Sequence, residues 1–352
     1  MNRTQDLARP LPVAAFALMS ASPIGLIGLA CLYGSFWPWL ALLVMAMLPM
    51  AVDRLLPWAA ADAPEGTAFP GEGPLLLGLG TGHLVLLPLV VWAVAGDALG
   101  PGAKAALFLA AGLWFGQVAH PAAHELIHRQ GRLPRALGVA LYVTLLFGHH
   151  ASAHRLIHHR HVATPKDPNT ARAGEGFYRY ALRAWLGSFR AGLRAETRLR
   201  AGKGLHPYAI YVGGAALSLG FGAVVGGWSG MLVWAGLGGH ATAQILLSDY
   251  VQHYGLRRHK RMGGTTEPVG PAHSWNAGEW FSAAMMLNAP RHSDHHAHPS
   301  RRFPTLRLPG PETAPRLPWP LPMACLIALV PPLWRRLMQP HLARWNPPKA
   351  AR

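Results

Sequence analysis

Nine histidines with short, regular spacings are the residues of this chain whose chemistry is easiest to recognise. They form four groups: a His-x3-His pair at His124 and His128, a His-x3-His-His set at His154, His158 and His159, the single His253, and a His-x2-His-His set at His292, His295 and His296. Side chains three to five positions apart on a helix project from about the same turn, and histidine is the commonest metal ligand. The pattern therefore predicts a metal site assembled from four distant parts of the chain.

The number of histidines indicates more than one metal ion. Nine imidazoles are too many for one first-row metal, and they suit two ions with about four or five nitrogens each. Imidazole binds iron, zinc and copper alike, so the ligand set alone does not identify the metal.

Two other functions use parts of this pattern. His124-Glu125-Leu-Ile-His128 matches the HExxH motif of zinc proteases, in which Glu125 would be the general base. That interpretation leaves the other three groups unexplained. A histidine-rich loop can also gather metal in a transporter, but such a protein needs ionisable groups along its crossing path, and here the spans offer little beyond His83 and His240.

Composition predicts that the site is carried by a membrane protein. Of the 352 residues, 51% are hydrophobic and 13% are charged, whereas soluble domains have about 25% charged residues. The net charge of +17 raises the possibility of nucleic-acid binding. Long apolar runs argue against it, because basic residues beside such runs follow the positive-inside rule. Cys31 and Cys325 form no Cys-x-x-Cys pair, which excludes a fused rubredoxin, zinc ribbon or iron–sulfur domain.

Hydropathy predicts an all-α integral membrane protein with about six transmembrane helices. Segments of this kind need about 17–25 apolar residues, and they lie at about 12–33, 36–52, 74–96, 103–121, 208–227 and 230–249. The turns 34–38, 96–102 and 226–230 carry almost no charge, whereas Arg and Lys concentrate in 129–203, 257–261, 291–307 and 335–352. By the positive-inside rule, the basic stretches, both termini and a histidine-rich cap are expected in the cytoplasm.

The apolar segment 133–148 does not fit this scheme. If it crossed the bilayer, the histidines before and after it would lie on opposite sides and could not share a site. A re-entrant or interfacial segment is therefore expected there. The chain otherwise reads as a single domain, 1–352, whose largest cytoplasmic insert is 162–207. Within that insert, aromatic and arginine residues alternate over 177–194 as in a basic amphipathic helix, which lies on the membrane surface or packs on the bundle.

Other polar residues near the groups are candidates for orienting the ligands. A ligand histidine normally donates its second ring N–H to a nearby acceptor. The candidates here are Glu125, His149, Gln252, Asp294 and His298, with His150 and His161 also flanking the groups. His120 lies one turn before His124 and is either such a partner or a coincidence. His83 and His240 lie within spans and are expected to be neutral core histidines.

At these residues the chain resembles the membrane-bound alkane 1-monooxygenase family, within the larger group of membrane di-iron desaturases and hydroxylases. The eight-histidine pattern is that of the larger group. Three longer strings are similar to the narrower family: HELIHR at 124–129, DYVQHYGL at 249–256 and RHSDHHAHP at 291–299, and weaker similarity covers about 120–340.

The resemblance implies two irons held by the nine histidines, activation of O2, and insertion of one oxygen atom into a terminal C–H bond. It also implies residence in the bacterial inner membrane and electrons from a rubredoxin or ferredoxin with its NAD(P)H-dependent reductase. A lipid desaturase and a hydroxylase of another lipid or of alkyl aromatics remain alternatives within the larger group.

Two positions depart from the family pattern. Ala153 and Gln252 stand where the family usually has glutamates before its histidines. Such carboxylates commonly orient ligands and tune the metal. A glutamine can still accept a hydrogen bond, but an alanine cannot. We therefore expect these changes to affect substrate or reactivity more than metal binding.

Overall fold

Helices make up nearly all the regular structure in the computed structural model, which describes residues 5, 6 and 9–345. The helices in chain order are α1 (Val13–Tyr33), α2 (Trp37–Ala46), α3 (Leu48–Leu55), α4 (Glu72–Ala95), α5 (Pro101–Trp114), α6 (His120–His128), α7 (Arg132–Thr144), α8 (His150–Ala153), α9 (His159–His161), α10 (Phe177–Arg200), α11 (Pro207–His253), α12 (Trp280–Met285), α13 (His292–Ala297), α14 (Leu321–Ala328) and α15 (Pro331–Trp345). The predicted all-α architecture is confirmed, apart from a two-residue parallel pairing of β1 (Gln5–Asp6) with β2 (Trp58–Ala59). Residues 1–4, 7, 8 and 346–352, and with them the predicted sidedness of the termini, lie outside the described residues.

Among the described residues, four helices are long and apolar enough to cross a bilayer. They are α1, α4, the 28-residue helix that joins α5 to α6, and α11, and the pair α2 and α3, bent by 42°, would make a fifth. These helices cover the predicted spans, so the prediction of several apolar helices of membrane-spanning length is confirmed. The number of crossings depends on how α11 is counted.

Helix α11 is too long for one crossing and is broken near its middle. Its 47 residues include two with non-helical backbone angles, Gly226 and Gly227, and Gly227 has a φ of 61° that favours glycine. A Cβ built on Gly222 would lie 3.1 Å from the carbonyl oxygen of Gly230. In a straight helix these residues would be about 12 Å apart. The two halves of α11 therefore fold back on each other, at the position where the sequence predicts a turn.

The segment predicted to re-enter forms α7 and then reverses. At the end of α7, the hydroxyl of Thr144 lies 2.8 Å from Nε2 of His83, near the middle of α4, and the carbonyl of Thr144 accepts a hydrogen bond from Trp234. The chain then turns at Leu146, which has a φ of 60°, and continues into α8. Segment 133–148 thus enters the bundle about halfway and returns, and both flanking histidine groups remain at the same end.

The predicted amphipathic helix of the insert is α10. It packs against α8 and α11 through Phe177, Tyr180, Ala184, Ser188 and Gly192, and it exposes Tyr178, Leu182, Trp185 and Leu186. Burial opposes ionisation of Glu175, but hydrogen bonds from Arg183 hold the pKa of this carboxyl below its usual value. This buried ion pair fixes the start of α10 beside the loop that precedes it.

Candidate metal centre

Four separate segments bring the nine predicted ligands to one end of the bundle. The first is α6, in which Pro121 occupies the first turn, a favourable position for proline. The second is the run from α8 through a π-helical turn at His154–His158 into α9. The last residue of α11 and the short helix α13 supply the rest. A second π-helical turn, Phe115–Ala119, directly precedes α6, and such turns occur frequently at functional sites.

Five of the histidines form a first group. Their potential ligand atoms lie within 4.8 Å of one another: His124, His128, His154, His159 and His295. Nε2 of His154 lies 2.7 Å from Nε2 of His124 and 2.8 Å from Nε2 of His159. Nε2 of His295 lies 3.1 Å from Nε2 of His159. Three segments of the chain thus point imidazole nitrogens at one small volume.

The other four histidines form a second group, again with ligand atoms within 4.8 Å of one another: His158, His253, His292 and His296. Nε2 of His292 lies 3.0 Å from Nε2 of His253 and 3.1 Å from Nε2 of His296. All four side chains are buried. The two groups adjoin, because the rings of His159 and His296 have centroids 4.6 Å apart.

The arrangement of ring nitrogens fits metal ions. Nε2 of His154 and Nε2 of His292 each face two other Nε2 atoms, although one ring nitrogen has only a single N–H or a single lone pair. Nε2 of His128 and of His158 are buried without a hydrogen-bond partner among the described residues. Hydrogen bonds between the rings cannot satisfy all these nitrogens, whereas lone pairs that converge on an ion would.

Burial favours the neutral form of imidazole that binds metals. It lowers the pKa of His292 to about 3, and it lowers the pKa values of His159, His295 and His296 well below the usual value for histidine. Their lone pairs are therefore free at neutral pH, and no proton has to be displaced by a metal ion.

Asp167 is a partner of a candidate ligand that the sequence interpretation missed. Its Oδ2 accepts a hydrogen bond from Nδ1 of His158 at 2.8 Å, with both side chains buried. Burial opposes protonation of His158, but the Asp167 carboxylate raises the pKa of this imidazole. Thr170 donates to the same oxygen and holds the carboxylate in place. The available signal was the string ATPKDP at 163–168, which belongs to the weaker part of the resemblance.

We expect Asp167→Asn to weaken metal binding by about 10- to 100-fold, the usual effect of losing an acceptor behind a ligand histidine. Asparagine keeps the size of the side chain but loses the charge that orients the ring of His158. Metal retention during dialysis against a chelator would measure the effect. Asp97→Asn, an exposed aspartate between α4 and α5, is the matched control, and equal metal retention in both variants would contradict this role of Asp167.

The five residues predicted to orient the ligands lie elsewhere in the hydrogen-bond network. Among the described contacts, none of them bonds to a ring of the nine histidines. A carboxylate oxygen of Glu125 accepts a hydrogen bond from the amide of Phe303. The carboxylate of Asp294 binds Arg301, His298 and the amide of Arg307. Gln252 contacts Ser248 and the carbonyl of Ala289, and His149 contacts Ser188. These contacts fix the backbone segments that carry the ligands.

The remaining flanking residues form the wall next to the first group. Nδ1 of His120 lies 2.9 Å from the hydroxyl of Tyr142, and the ring of His150 stacks on that of His154 with centroids 5.0 Å apart. Ala153 is buried against α10, where a Cβ on Gly192 would lie 3.2 Å from the Cβ of Ala153. Alanine at 153 and glycine at 192 therefore allow the close approach of α8 and α10.

A cavity of about 450 Å³ connects this site with the apolar surface of the bundle. Its lining includes the buried candidate ligands His124, His154, His292 and His295, and the exposed side chains of Met47, Leu326 and Leu329 form its rim. Leu113, Leu247, Met286 and Leu287 add apolar side chains to its wall. The volume is typical of small-molecule sites. Because the rim is apolar and belongs to candidate membrane helices and α14, the cavity is suited to a ligand that enters from the lipid.

Comparisons with known proteins agree with this geometry. The fatty acid desaturase family model matches residues 100–325, which include all nine histidines. Alkane 1-monooxygenase 1 of Pseudomonas aeruginosa is 33% identical over 324 residues, which cover 88% of this chain and 84% of the relative. Alkane 1-monooxygenase 2 of the same organism is 30% identical over 331 residues, with 88% and 85% covered. The xylene/toluene monooxygenase hydroxylase component XylM of Pseudomonas putida is 28% identical over 341 residues, with 92% and 86% covered.

Proposed function

Because the chain belongs to the fatty acid desaturase family and, within it, to the alkane 1-monooxygenases, we propose that it hydroxylates a terminal carbon of an alkyl chain in the membrane. The observation that carries this proposal is the cavity, which is lined both by the predicted metal ligands and by exposed apolar side chains. The net reaction is R–CH3 + O2 + 2 electrons + 2 protons giving R–CH2OH + H2O.

The metal ions proposed are two irons. The first would be held by the group of His124, His128, His154, His159 and His295, and the second by the group of His158, His253, His292 and His296. When bound, the irons supply O2 activation and the electrons for cleaving the O–O bond. The protein holds and orients the ligands, Asp167 in particular fixing His158. The apolar cavity wall aligns the alkyl chain and excludes water from the site.

The electron donor proposed is an acidic rubredoxin or ferredoxin, served by an NAD(P)H-dependent reductase. His128 and His159 are the least buried of the nine histidines, so electrons have their shortest route near these rings. Exposed basic residues flank the ligand segments: Arg160 follows His159, and Arg257, Lys260 and Arg261 lie in the loop after His253. The two places are neighbours, because Arg258 donates to the carbonyl of Arg160. Opposite charges of this kind speed the encounter of two proteins.

We propose six crossings of the inner membrane, counting the halves of α11 separately and α2 with α3 as one. The ligand-bearing end and both termini would then face the cytoplasm, and residues 1–352 would form one domain. The asymmetry of Arg and Lys supports this orientation. Reporter fusions after residue 97 and after the C-terminus should report opposite sides, and the same side for both would contradict it.

A hydroxylase of alkyl aromatics is the second candidate function. It is favoured by the similarity to XylM, the hydroxylase component of a xylene/toluene monooxygenase, which this chain matches over 92% of its own length. The lipid desaturase remains a third alternative, because the family model covers that activity as well. The products distinguish the three reactions.

The test of the proposed function combines metal analysis with product analysis. Purified protein should contain about two irons per chain, as the two histidine groups imply, and with a donor, reductase and 18O2 it should form a terminal alcohol that carries 18O. A double bond without 18O would indicate a desaturase, and a labelled benzylic alcohol from toluene but none from alkanes would indicate the second candidate. A single zinc and no iron would refute the oxygenase.

A further inference from the structure

The 28-residue helix that joins α5 to α6 runs beside α11 along the cavity. Two of its glycines contact polar side chains of α11. The ring of His240 occupies the space that a side chain on Gly112 would need, and the amide of Gln244 occupies the corresponding space at Gly116. The two glycines are four residues apart on their helix, and so are His240 and Gln244 on theirs, which is about one helical turn. The contact between the two helices is thus also a wall of the cavity, which His240, Gln244 and Gly116 line.

Helix α11 presents a polar residue to the cavity at every turn: His240, Gln244, Ser248 and Gln252. Three of the four have hydrogen-bond partners within the protein. Nε2 of Gln244 donates to the carbonyl of Gly112 at 2.7 Å, the hydroxyl of Ser248 donates to Gln252 at 2.8 Å, and Gln252 donates to the carbonyl of Ala289 at 3.3 Å. Helix packing accounts for these three side chains, since polar groups stabilise helix contacts in membranes.

Packing does not account for His240. Its side chain has no hydrogen-bond partner among the described residues, and its Nδ1 is buried against Gly112. A buried N–H without an acceptor is rarer than an unused acceptor, so the ring proton belongs on Nε2. The ring of Phe108 stacks on that of His240 with centroids 6.1 Å apart. His240 is therefore held as an N–H donor without an acceptor in the wall of the cavity.

Gln117 lines the same cavity and supplies the complementary group. It lies in the π-helical turn before α6, one residue after Gly116. Its Oε1 is buried without a hydrogen-bond partner among the described residues. A buried polar atom of this kind costs about 1–3 kcal/mol unless a partner satisfies it, so this cavity contains an unused acceptor as well as an unused donor.

We propose that His240 and Gln117 bind a hydroxyl group, and that the cavity accepts long-chain primary alcohols which are oxidised at their far end. A hydroxyl oxygen is both acceptor and donor, so it can accept from Nε2 of His240 and donate to Oε1 of Gln117. Gln117 lies five residues, or about 7.5 Å along the helix, after Gly112, the residue that the ring of His240 contacts. Two hydrogen bonds of about 2.8 Å through one oxygen span up to about 5.6 Å. The side chain of Gln117 covers the remainder, because helical side chains tilt towards the N-terminus, here towards Gly112.

The position of this pair sets the length of the alcohol. The level of Gly112 lies 12 residues and that of Gly116 lies 8 residues before His124, which corresponds to about 18 Å and 12 Å along the helix. An extended chain advances about 1.2 Å per bond. A hydroxyl held here would therefore place a methyl group about 10–15 bonds away beside the histidines. With O2, two electrons from the donor and two protons, HO–R–CH3 would become HO–R–CH2OH and water.

The inference rests on the proposed function for the direction of binding, but binding itself can be measured without turnover. Three radiolabelled ligands with the same number of heavy atoms are compared: 1-dodecanol, methyl undecyl ether and tridecane. The alcohol can accept and donate, the ether can only accept, and the alkane can do neither. Kd values are measured for purified protein in nanodiscs, after subtraction of partitioning into empty nanodiscs. We expect the order alcohol, ether, alkane from tightest to weakest, with about 2- to 10-fold per hydrogen bond.

Two variants assign the hydrogen bonds to residues. His240→Phe keeps a ring against Phe108 but removes the N–H, so the ether should lose its advantage over the alkane. Gln117→Met keeps the length of the side chain but removes the acceptor, so the alcohol should lose its advantage over the ether. Ser248→Ala, which changes a polar residue of the same wall that already has a partner, should leave the order of the three ligands unchanged.

The outcomes separate this inference from the proposed function. Equal Kd values for the three ligands in the unchanged protein, or variants that weaken all three ligands equally, would overturn the hydroxyl site. The melting temperature and metal content of each variant show whether it is folded, and His240→Leu replaces His240→Phe if the latter is not. Selective alcohol binding without any oxygenase activity would support the site and contradict only the proposed function.

Discussion

Replacing His292 by alanine should reduce hydroxylation to background while the protein remains inserted in the membrane. Nε2 of His292 faces both Nε2 of His253 and Nε2 of His296, so it is the centre of the second group. Its loss leaves three imidazoles, and the site no longer has the ligand set that the proposed second iron needs. Iron measured per chain should therefore fall from about two to about one.

Variants in the first group make this prediction sharper. His295→Ala should weaken binding of the other iron less severely, because the group of five histidines keeps four imidazoles, and the double variant should retain less iron than His292→Ala alone. His298→Ala is the matched control: it lies on the same segment, its side chain is 53% exposed, and it contacts Asp294 rather than a ligand ring. Full turnover by His292→Ala with purified donor proteins, or equal iron loss in His298→Ala, would contradict the ligand assignment.

The spacing of the histidines could be predicted because it is local. Residues four apart share a helix face wherever the helix lies in the molecule, so the sequence was sufficient to select the nine candidates. Their division into groups of five and four could not be predicted. His158 and His159 are adjacent in sequence but belong to different groups, since neighbouring residues on a helix point about 100° apart. Only the packing of this segment against α11 and α13 decides which rings each of them faces.

The long spans were also predictable, because hydropathy over about 20 residues is set by the bilayer. The reversal of segment 133–148 was predictable as well, because the histidines before and after this segment must lie on the same side of the membrane to share one site. The region after α11 could not be predicted in this way, since α12 and α13 have six residues each and no periodicity that identifies them. Asp167 was missed for the same reason, as it lies in a loop whose contacts depend on tertiary structure.

Arg291 holds the segment that contains α13 in place, and we expect its replacement to have the second-largest effect, on stability and iron retention. The side chain is 2% exposed, and it directly precedes His292. Nη1 donates to Oδ1 of Asp62 and to the carbonyl of Leu306, both at 2.7 Å, and Nη2 donates to the carbonyl of Ala60 at 2.5 Å. One guanidinium thus ties the start of α13 to two other segments, and α13 supplies ligands to both groups.

Arg291→Met should lower the melting temperature by several degrees and speed the loss of both irons. Breaking a buried ion pair costs about 3–5 kcal/mol; the cost here should be towards the lower figure, because the side chain of Asp62 is 39% exposed. The variant also leaves two buried carbonyls without donors. Melting curves of the apo and iron-loaded protein, with the rate of iron release to a chelator, would measure both effects.

Two further variants separate the charge of Arg291 from its geometry. Arg291→Lys keeps the charge but cannot donate to three acceptors in a planar fork, so its stability and iron retention should lie between those of the unchanged protein and Arg291→Met. Asp62→Asn removes the opposite charge and leaves the hydrogen bonds to the carbonyls of Ala60 and Leu306, so it should be milder than either. If Arg291→Lys matched the unchanged protein, charge alone would hold α13. Unchanged iron retention in Arg291→Met would mean that α13 is positioned without this side chain.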